Sequence, residues 1–170
     1  PFVSQGQVTA RFTMSDSAGC APLIVHFTNT STGATSYSWN LGNSTVSSLT
    51  DVSTSYTSAG TYTVTLVASN GSVTNTYTKL IVIYPQPTVN FTASDTAICP
   101  GSSTTFTSTS TPGMTGGLTY NWNFGDGFFS AATGPSHVYA APGFYTVSLL
   151  ATNSAGCAST LSRGSYIRVV

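Results

Sequence analysis

The stretch that decides the fold runs from residue 120 to residue 147. It reads Y-N-W-N-F-G-D-G at 120–127, H-V-Y at 137–139 and G-F-Y-T-V at 143–147. Much of this occurs earlier in the chain, as Y-S-W-N-L-G at 37–42 and G-T-Y-T-V at 60–64. Trp39 and Trp122 are 83 positions apart, and so are Tyr62 and Tyr145. A motif that recurs at a fixed offset marks a repeated folding unit, so the sequence predicts two copies of one module.

Composition narrows the classes of partner. Of the 170 residues, 40% are hydrophobic, which is enough for a packed core, but only 5% are charged and the net charge is zero. Binding to nucleic acid or to an anionic membrane surface depends largely on Lys and Arg, so neither is an expected partner. A membrane-spanning helix needs about 20 consecutive apolar residues, and the sequence contains no such run.

Period-two alternation of apolar residues, as in residues 8–14, predicts β-strands throughout. The expected organisation is an N-terminal arm at 1–7, a first module at 8–84, a stiff Pro-Gln-Pro linker at 85–87 and a second module at 88–170. The fold class is therefore all-β, with two tandem antiparallel sandwiches of about seven strands each.

Large aromatic side chains repeat on one face of a strand in each module and are predicted to form the core. The structural core set is Tyr37, Trp39, Tyr62, Tyr120, Trp122 and Tyr145. In the second module, Asp126 lies between two glycines, where a short carboxylate caps a tight turn. Asp126 could also serve as a weak calcium ligand, although no acid cluster lies near it in the sequence.

The pattern W-x-F-G-D-G followed by H-x-Y-x-x-x-G-x-Y-x-V resembles the PKD domain (polycystic kidney disease repeat), as found in surface and secreted proteins of Bacteroidota. The likeness is strong over 88–170 and weaker over 8–84, where the Gly-Asp-Gly becomes Gly-Asn-Ser and the His becomes Ser55. It implies an immunoglobulin-like sandwich that acts as an extracellular or cell-surface spacer, adhesive or interaction module, without catalysis.

The chain has three cysteines. Similar PKD modules often join cysteines placed like Cys99 and Cys157, so the resemblance implies a disulfide there, worth about 4 kcal/mol in the chain-entropy account. Cys20 matches Cys99, but Thr74 stands where its partner would be. Cys20 is therefore expected to be a free thiol or to bond to another chain.

Catalytic machinery is not expected. The chain has no glutamate and four scattered aspartates, so no acid can be assigned to orient His137 beside Ser136, and no carboxylate pair for glycoside cleavage is apparent. His137 is expected to have a packing or hydrogen-bonding role. Metal-ligand spacing is absent, so no cofactor is expected apart from calcium at Asp126.

Two functions remain open. The first is a structural or adhesive surface module, either a spacer or a subunit that polymerises when residues 1–10 or the last strand add to a neighbour's sheet edge. The alternative is a carbohydrate- or protein-binding accessory domain of a larger secreted hydrolase, in which Phe128 and Phe129 contact the ligand unless at least one of the rings packs at the rim of the core or in an interface. Ser17 and Thr96, each preceded by Asp, resemble O-glycosylation sites of Bacteroidota, or their aspartates simply cap turns.

Overall fold

The computed structural model describes residues 6–170 and divides into two compact units, Pro1–Tyr84 and Pro85–Val170, here called domain 1 and domain 2. Most of the predicted N-terminal arm, residues 1–5, lies outside the described residues. Within 6–170 every regular element is a β-strand, which confirms the all-β prediction. No helix in this range is long and apolar enough to cross a membrane.

Domain 1 packs one sheet of three strands on one of five. The three-stranded sheet has the order β1-β3-β6 and the five-stranded sheet the order β2-β8-β7-β4-β5. The strands are β1 (Phe12–Met14), β2 (Ala18–Cys20), β3 (Leu23–Asn29), β4 (Ser36–Asn40), β5 (Val46–Ser47), β6 (Val52–Tyr56), β7 (Gly60–Ser69) and β8 (Thr74–Tyr84).

Domain 2 repeats the arrangement. Its sheets have the orders β14-β11-β9 and β10-β16-β15-β12-β13. The strands are β9 (Phe91–Ala93), β10 (Ala97–Ile98), β11 (Ser103–Ser108), β12 (Leu118–Asn123), β13 (Phe129–Ser130), β14 (Ser136–Val138), β15 (Gly143–Asn153) and β16 (Ala158–Val169). The prediction of two tandem sandwiches is confirmed.

One short strand in each domain departs from the predicted antiparallel pattern. β2 pairs in parallel with the end of β8, and β10 pairs in parallel with the end of β16. These strands are only two or three residues long, too short to show an alternation in the sequence. They account for the eighth strand of each domain within the described part of the chain.

The two tryptophans are the centres of the two cores. Trp39 is 1% exposed and Trp122 is fully buried, and each lies edge-on to a phenylalanine of the first strand, with ring centroids 5.1 Å from Phe12 and 5.3 Å from Phe91 respectively. Each indole N–H donates a 3.0 Å hydrogen bond to a backbone carbonyl ten residues later. The polar edge of each ring is thereby satisfied inside an apolar core.

The predicted linker belongs structurally to domain 2. The side-chain amide of Asn153 donates to the carbonyl of Pro85 at 2.9 Å, and Pro87 is buried. Contacts divide the chain between Tyr84 and Pro85, so the Pro-Gln-Pro segment forms the start of the second unit.

Candidate functional site

The turn after the tryptophan strand has the same backbone in both domains. Gly42 and Gly125 have φ values of 79° and 86°, and a Cβ on them would lie 2.8 Å and 2.4 Å from the carbonyl oxygens of Thr63 and Thr146. Only glycine combines that conformation with that close approach. The two turns therefore start from closely similar geometry, although the residues that follow differ.

The residue after this glycine caps the turn in both domains. Asn43 Oδ1 accepts the N–H of Thr45 at 3.2 Å, and Asp126 Oδ1 accepts the N–H of Phe128 at 3.3 Å. This is the turn-capping role expected of Asp126, and Asn43 fills it without a charge.

The second polar atom of each capping side chain contacts the three-stranded sheet. In domain 2, Asp126 Oδ2 lies 2.7 Å from His137 Nε2 on β14. In domain 1, Asn43 Nδ2 donates to Thr54 Oγ1 at 3.0 Å and to the carbonyl of Ser55 at 3.2 Å. We call these contacts the clasps, because each ties the turn after one sheet to a strand of the other. Thr54, rather than the Ser55 expected from the sequence, occupies the position of His137.

The histidine of the domain 2 clasp is held on three sides. Its ring stacks on Phe124 with centroids 4.2 Å apart and planes 5° from parallel, and it meets Tyr139 edge-on at 4.7 Å. Only 12% of the His137 side chain and 15% of the Asp126 side chain are exposed. The pair is therefore a largely buried, charge-assisted contact when the histidine is protonated.

The hydroxyl groups nearest in sequence to His137 have hydrogen-bond partners of their own. The hydroxyl of Ser136 lies 2.7 Å from that of Thr105, and the hydroxyl of Tyr139 donates to the carbonyl of Phe124 at 3.0 Å. Both of these neighbouring hydroxyl groups therefore hydrogen bond to groups other than His137.

Calcium does not fit at Asp126. Calcium takes six to eight oxygen ligands, whereas one Asp126 oxygen accepts Phe128 N–H and the other faces His137. Within 6–170 no three His, Cys, Asp or Glu side chains group closely enough to hold a metal ion. The clasp is built as a structural contact.

A buried tyrosine lies next to each clasp and donates a hydrogen bond to the residue before the turn glycine. Tyr56 and Tyr139 are 1% and 0% exposed, and their hydroxyls donate to the carbonyls of Leu41 at 2.7 Å and Phe124 at 3.0 Å. Burial, with a smaller contribution from Tyr62, raises the pKa of Tyr56 to about 12. Burial raises the pKa of Tyr139 still further, and the negative charge of Asp126 adds to that rise. The core set predicted from the sequence omitted both tyrosines.

The predicted core tyrosines are only partly buried. Tyr37 and Tyr62 pack against the domain 1 core, and Tyr120 and Tyr145 against the domain 2 core. The hydroxyls of Tyr62 and Tyr145 donate to the carbonyls four residues earlier, both at 2.8 Å. They form the tyrosine corner that the Gly-x-Tyr-x-Val motif resembles.

Phe128 and Phe129 follow the capped turn and point outward. Each is 64% exposed, and the Phe128 ring lies 5.6 Å from the ring of His137 at the edge of the core. Phe129 begins β13, the edge strand of the five-stranded sheet, and Val46 at the start of β5 is its counterpart, 72% exposed. Exposed aromatics next to a sheet edge offer a contact surface, and domain 2 alone carries the rings.

The cysteines differ from the expectation. Cys99 is a free, exposed thiol, whereas Cys157 is disulfide-bonded. The predicted Cys99–Cys157 bridge is thus wrong, and the sheet explains why. Cys157 immediately precedes the first residue of β16, and β10, just before Cys99, pairs with its last residues. A strand of 12 residues separates them by more than ~30 Å, against the ~7 Å limit between Cα atoms of a disulfide.

The state of Cys20 also differs from the prediction. It was expected to be a free thiol or to bond to another chain, but it is disulfide-bonded in the structure. It ends β2, opposite Tyr84 in the parallel ladder. The candidate glycosylation residues Ser17 and Thr96 are exposed, and their carbonyls accept the N–H groups of Val82 and Arg168 at equivalent positions of the two domains.

Comparison with known proteins finds one domain family in both halves. The PKD domain matches residues 3–82 and, in a second form, residues 84–169. Collagenase ColA of Bacillus cereus is 49% identical over 39 residues, which are 23% of this chain and 4% of that protein.

Among solved structures, the PKD1 domain of Vibrio anguillarum Epp is 32% identical, with a TM-score of 0.43, over 50% of this chain and 96% of that one. The N-terminal eight Ig domains of Down Syndrome Cell Adhesion Molecule align with 96% of this chain and 24% of that one, at 13% identity and a TM-score of 0.57, which shows a shared fold. None of these relatives supports a source in Bacteroidota.

Proposed function

Since the chain belongs to the PKD domain family in both of its halves, we propose that it is a non-catalytic extracellular module, either a spacer or a subunit of a self-assembling surface filament. The observation that carries this proposal is the clasp. Asp126 and His137 are the residues of domain 2 whose side chains could serve as an acid and a base. They contact each other and so join the two sheets.

The extracellular location rests on the domain family and on the disulfide-bonded state of Cys20 and Cys157. Disulfides persist in oxidising compartments outside the cytosol. The collagenase relative carries a similar segment as a small fraction of a much longer protein, which suits a module appended to other domains.

Self-assembly would use the sheet edges. Edge strands expose unpaired backbone groups, and proteins commonly protect them with charged residues. Only 5% of this chain is charged, and the edge strands β5 and β13 begin with exposed Val46 and Phe129. A strand from a neighbouring copy, such as one formed by residues 1–10, could therefore add to such an edge.

Light scattering and electron microscopy of the purified chain separate the two forms of the proposal. Filaments that grow with concentration support the polymer, and dispersed monomers support the spacer. Hydrolysis of a peptide, ester or glycoside by the chain, abolished by Asp126→Asn, would contradict the non-catalytic role.

The second candidate, a carbohydrate-binding accessory module, is favoured by Phe128 and Phe129. Exposed aromatic faces stack on apolar faces of sugar rings, and these two lie side by side in the sequence at 64% exposure each. Phe144 offers a matched control, because it is 67% exposed in the same domain but lies on β15. A glycan array should lose signal with Phe128→Ala/Phe129→Ala and keep it with Phe144→Ala. An array without signal for the native chain removes this candidate.

Ser17 and Thr96 complete the proposal as O-glycosylation sites. Both are exposed at the same place in their domains, beside the short parallel strands. The intact mass of the chain, isolated from its natural source, tests this directly. A mass equal to that of the unmodified polypeptide rules out glycans at both residues.

A further inference from the structure

An asparagine in the last hairpin of each domain holds the backbone that leads into that domain. In domain 1 the side-chain amide of Asn70, between β7 and β8, donates to the carbonyl of Gly6 at 3.0 Å. In domain 2 the side-chain amide of Asn153, at the end of β15, donates to the carbonyl of Pro85 at 2.9 Å. The two contacts are equivalent, because Gly6 and Pro85 precede the first strands of their domains in the same way.

The two asparagines also cap their hairpins with the same side-chain oxygen. Asn70 Oδ1 accepts the N–H groups of Ser72 at 3.1 Å and of Val73 at 2.9 Å. Asn153 Oδ1 accepts the N–H of Ala155 at 3.1 Å. An asparagine that accepts from the residue two positions later folds its side chain over the peptide group between them. The Cγ atom of each asparagine is therefore directed toward the backbone nitrogen of the next residue.

The residue that follows the asparagine differs between the domains. Gly71 follows Asn70, is exposed, has a φ of 91°, and has no heavy atom within 4 Å of the place that a Cβ would take. Ser154 follows Asn153, which is only 5% exposed and whose amide also donates to the carbonyl of Pro112 at 3.2 Å. The hairpin of domain 1 is therefore open to attack on the side-chain amide, and that of domain 2 is closed.

We propose that Asn70 is a site of spontaneous deamidation, and that its conversion to isoaspartate or aspartate releases Gly6. The backbone nitrogen of Gly71 attacks Asn70 Cγ and forms a five-membered succinimide ring, while the Cγ–Nδ2 bond breaks. Nδ2 leaves as ammonia and takes up the proton that the Gly71 nitrogen loses. Water then opens the ring at either of its two carbonyl groups, so one water is consumed and one ammonia is released.

The contacts of Asn70 favour this attack. Negative charge develops on Oδ1 when Cγ is attacked, and the N–H groups of Ser72 and Val73 already donate to that atom. The N–H of Gly71 donates to the hydroxyl of Ser69 at 3.1 Å, so no hydrogen bond of the sheet ladder has to break first. Glycine also lacks the Cβ that would crowd the approach of its nitrogen.

The product loses its hold on Gly6 without unfolding the domain. A carboxylate accepts hydrogen bonds but has no proton to donate, so the contact with the Gly6 carbonyl is lost. Val8 is only 4% exposed and packs in an apolar cluster, and two backbone hydrogen bonds of 2.9 Å join Thr9 to Thr32. The release should therefore stop before Val8.

The test is to keep the folded 170-residue chain at neutral pH and physiological temperature and to sample it over time. Peptide mapping should find isoaspartate accumulating at position 70 and asparagine retained at position 153. Because the native chain has zero net charge and the product carries one additional negative charge, ion-exchange chromatography gives the converted fraction. An Asn70 that stays intact in the folded chain but converts in urea would overturn the proposal, as would equal conversion of Asn153.

Nuclear magnetic resonance tests the release. The nitrogen chemical shift of the Gln7 amide, which is bonded to the Gly6 carbonyl, should change in the converted chain. That of Gln86, which is bonded to the Pro85 carbonyl, should stay as it is. Asn70→Asp removes the same donor without any reaction and should reproduce the change at Gln7. An unchanged Gln7 in the converted chain would contradict the release.

Gly71→Ser is the matched control for the chemistry, because it gives domain 1 the residue type that follows Asn153 in domain 2. It should leave Asn70 intact over the period in which the native chain converts, with an unchanged circular dichroism spectrum. Conversion of this variant at the native rate would show that Gly71 does not direct the reaction and would overturn the proposal. The proposal does not depend on the spacer or filament role, so its failure would leave that role to its own test.

Discussion

The two clasps perform one task with different chemistry. Domain 2 joins its sheets through Asp126 and His137, and domain 1 through neutral hydrogen bonds from Asn43 to Thr54 and Ser55. The turn geometry is the same in both, including the glycine at positive φ and the tyrosine hydroxyl bound beneath it. The fold therefore requires a side chain that caps the turn and reaches the opposite sheet, and it does not require that this side chain be charged.

The largest expected effect is a loss of stability in one domain while the other domain stays folded. Trp39→Ala and Trp122→Ala should each cost about 3–5 kcal/mol of the free energy of unfolding, because a buried indole and its hydrogen bond are lost. Each domain has a single tryptophan, so the remaining one reports on the other domain by fluorescence. Unfolding of both domains by either substitution would contradict two independent cores.

The second prediction compares the clasps themselves. Asp126→Ala should destabilise domain 2 by about 1.5–3 kcal/mol, and Asn43→Ala should destabilise domain 1 by about 0.5–1.5 kcal/mol, since hydrogen bonds that involve a charged group are stronger than neutral ones. Urea unfolding is measured by tryptophan fluorescence. The Trp39→Phe background leaves only the tryptophan of domain 2, and the Trp122→Phe background leaves only that of domain 1.

Asp126→Asn is the control for this comparison, because it keeps an oxygen for the N–H of Phe128 and removes the charge. Its loss should fall between zero and that of Asp126→Ala. If Asp126→Ala and Asn43→Ala lower the free energy of unfolding of their domains equally, the charge of Asp126 contributes nothing to the stability of domain 2.

The third prediction concerns the buried tyrosines. Tyr56→Phe and Tyr139→Phe should each cost about 1 kcal/mol near neutral pH, because a buried carbonyl loses its donor. The pKa of both phenols is raised on folding, so the folded state holds the proton more tightly than the unfolded state, where the pKa is about 10. Their contribution is complete below pH 10 and is lost as the pH rises, toward about 12 for Tyr56.

Domain 2 should show the greater loss at alkaline pH, because Asp126 adds to the rise in the pKa of Tyr139. Tyrosinate absorbance and urea midpoints from neutral pH upward measure this. Asp126→Asn should bring the alkaline behaviour of domain 2 closer to that of domain 1, and the phenylalanine variants should flatten it. Greater alkaline loss in domain 1 would contradict the role of Asp126.

The smallest expected effect is at the tyrosine corners. Tyr62→Phe and Tyr145→Phe each remove one 2.8 Å hydrogen bond to a backbone carbonyl near solvent. Water can replace the lost donor, so each should cost only about 0.5 kcal/mol, and the two domains should respond alike. A thermal shift confined to one domain would show that the corners are not equivalent.

Each domain places a basic side chain over two aromatic rings of its core, but the second ring comes from a different place in the sequence. Lys79 and Arg163 face Val64 and Val147 across the sheet and lie 5.7 Å and 5.1 Å from the rings of Phe12 and Phe91. A second aromatic ring completes each cluster. Tyr77 supplies it from before the lysine, and Tyr166 supplies it from after the arginine.

A β-bulge in domain 2 places Tyr166 in this cluster. The register of β15 and β16 shifts between Tyr145 and Val147, where Ser165 adopts a φ of 50° and its N–H donates to Thr146 Oγ1 at 3.3 Å. Tyr166 is thereby turned toward Phe91, and its hydroxyl accepts the N–H of Ala93 at 3.0 Å. Nothing in the alternation of residues around 164–166 identifies this bulge, because its register depends on the partner strand.

The repeat, the β class, the two sandwiches and the position of the tryptophans were all predictable from the order of the amino acids. These features follow from local periodicity, because alternate side chains of a strand always point to the same face. Tertiary structure alone decided which residues meet across the sheets: the clasp of Asp126 with His137, the full burial of Tyr56 and Tyr139, and the free thiol of Cys99. Such contacts depend on strand order and register, which bring together residues far apart in the chain, and a one-residue shift in register would change every one of them.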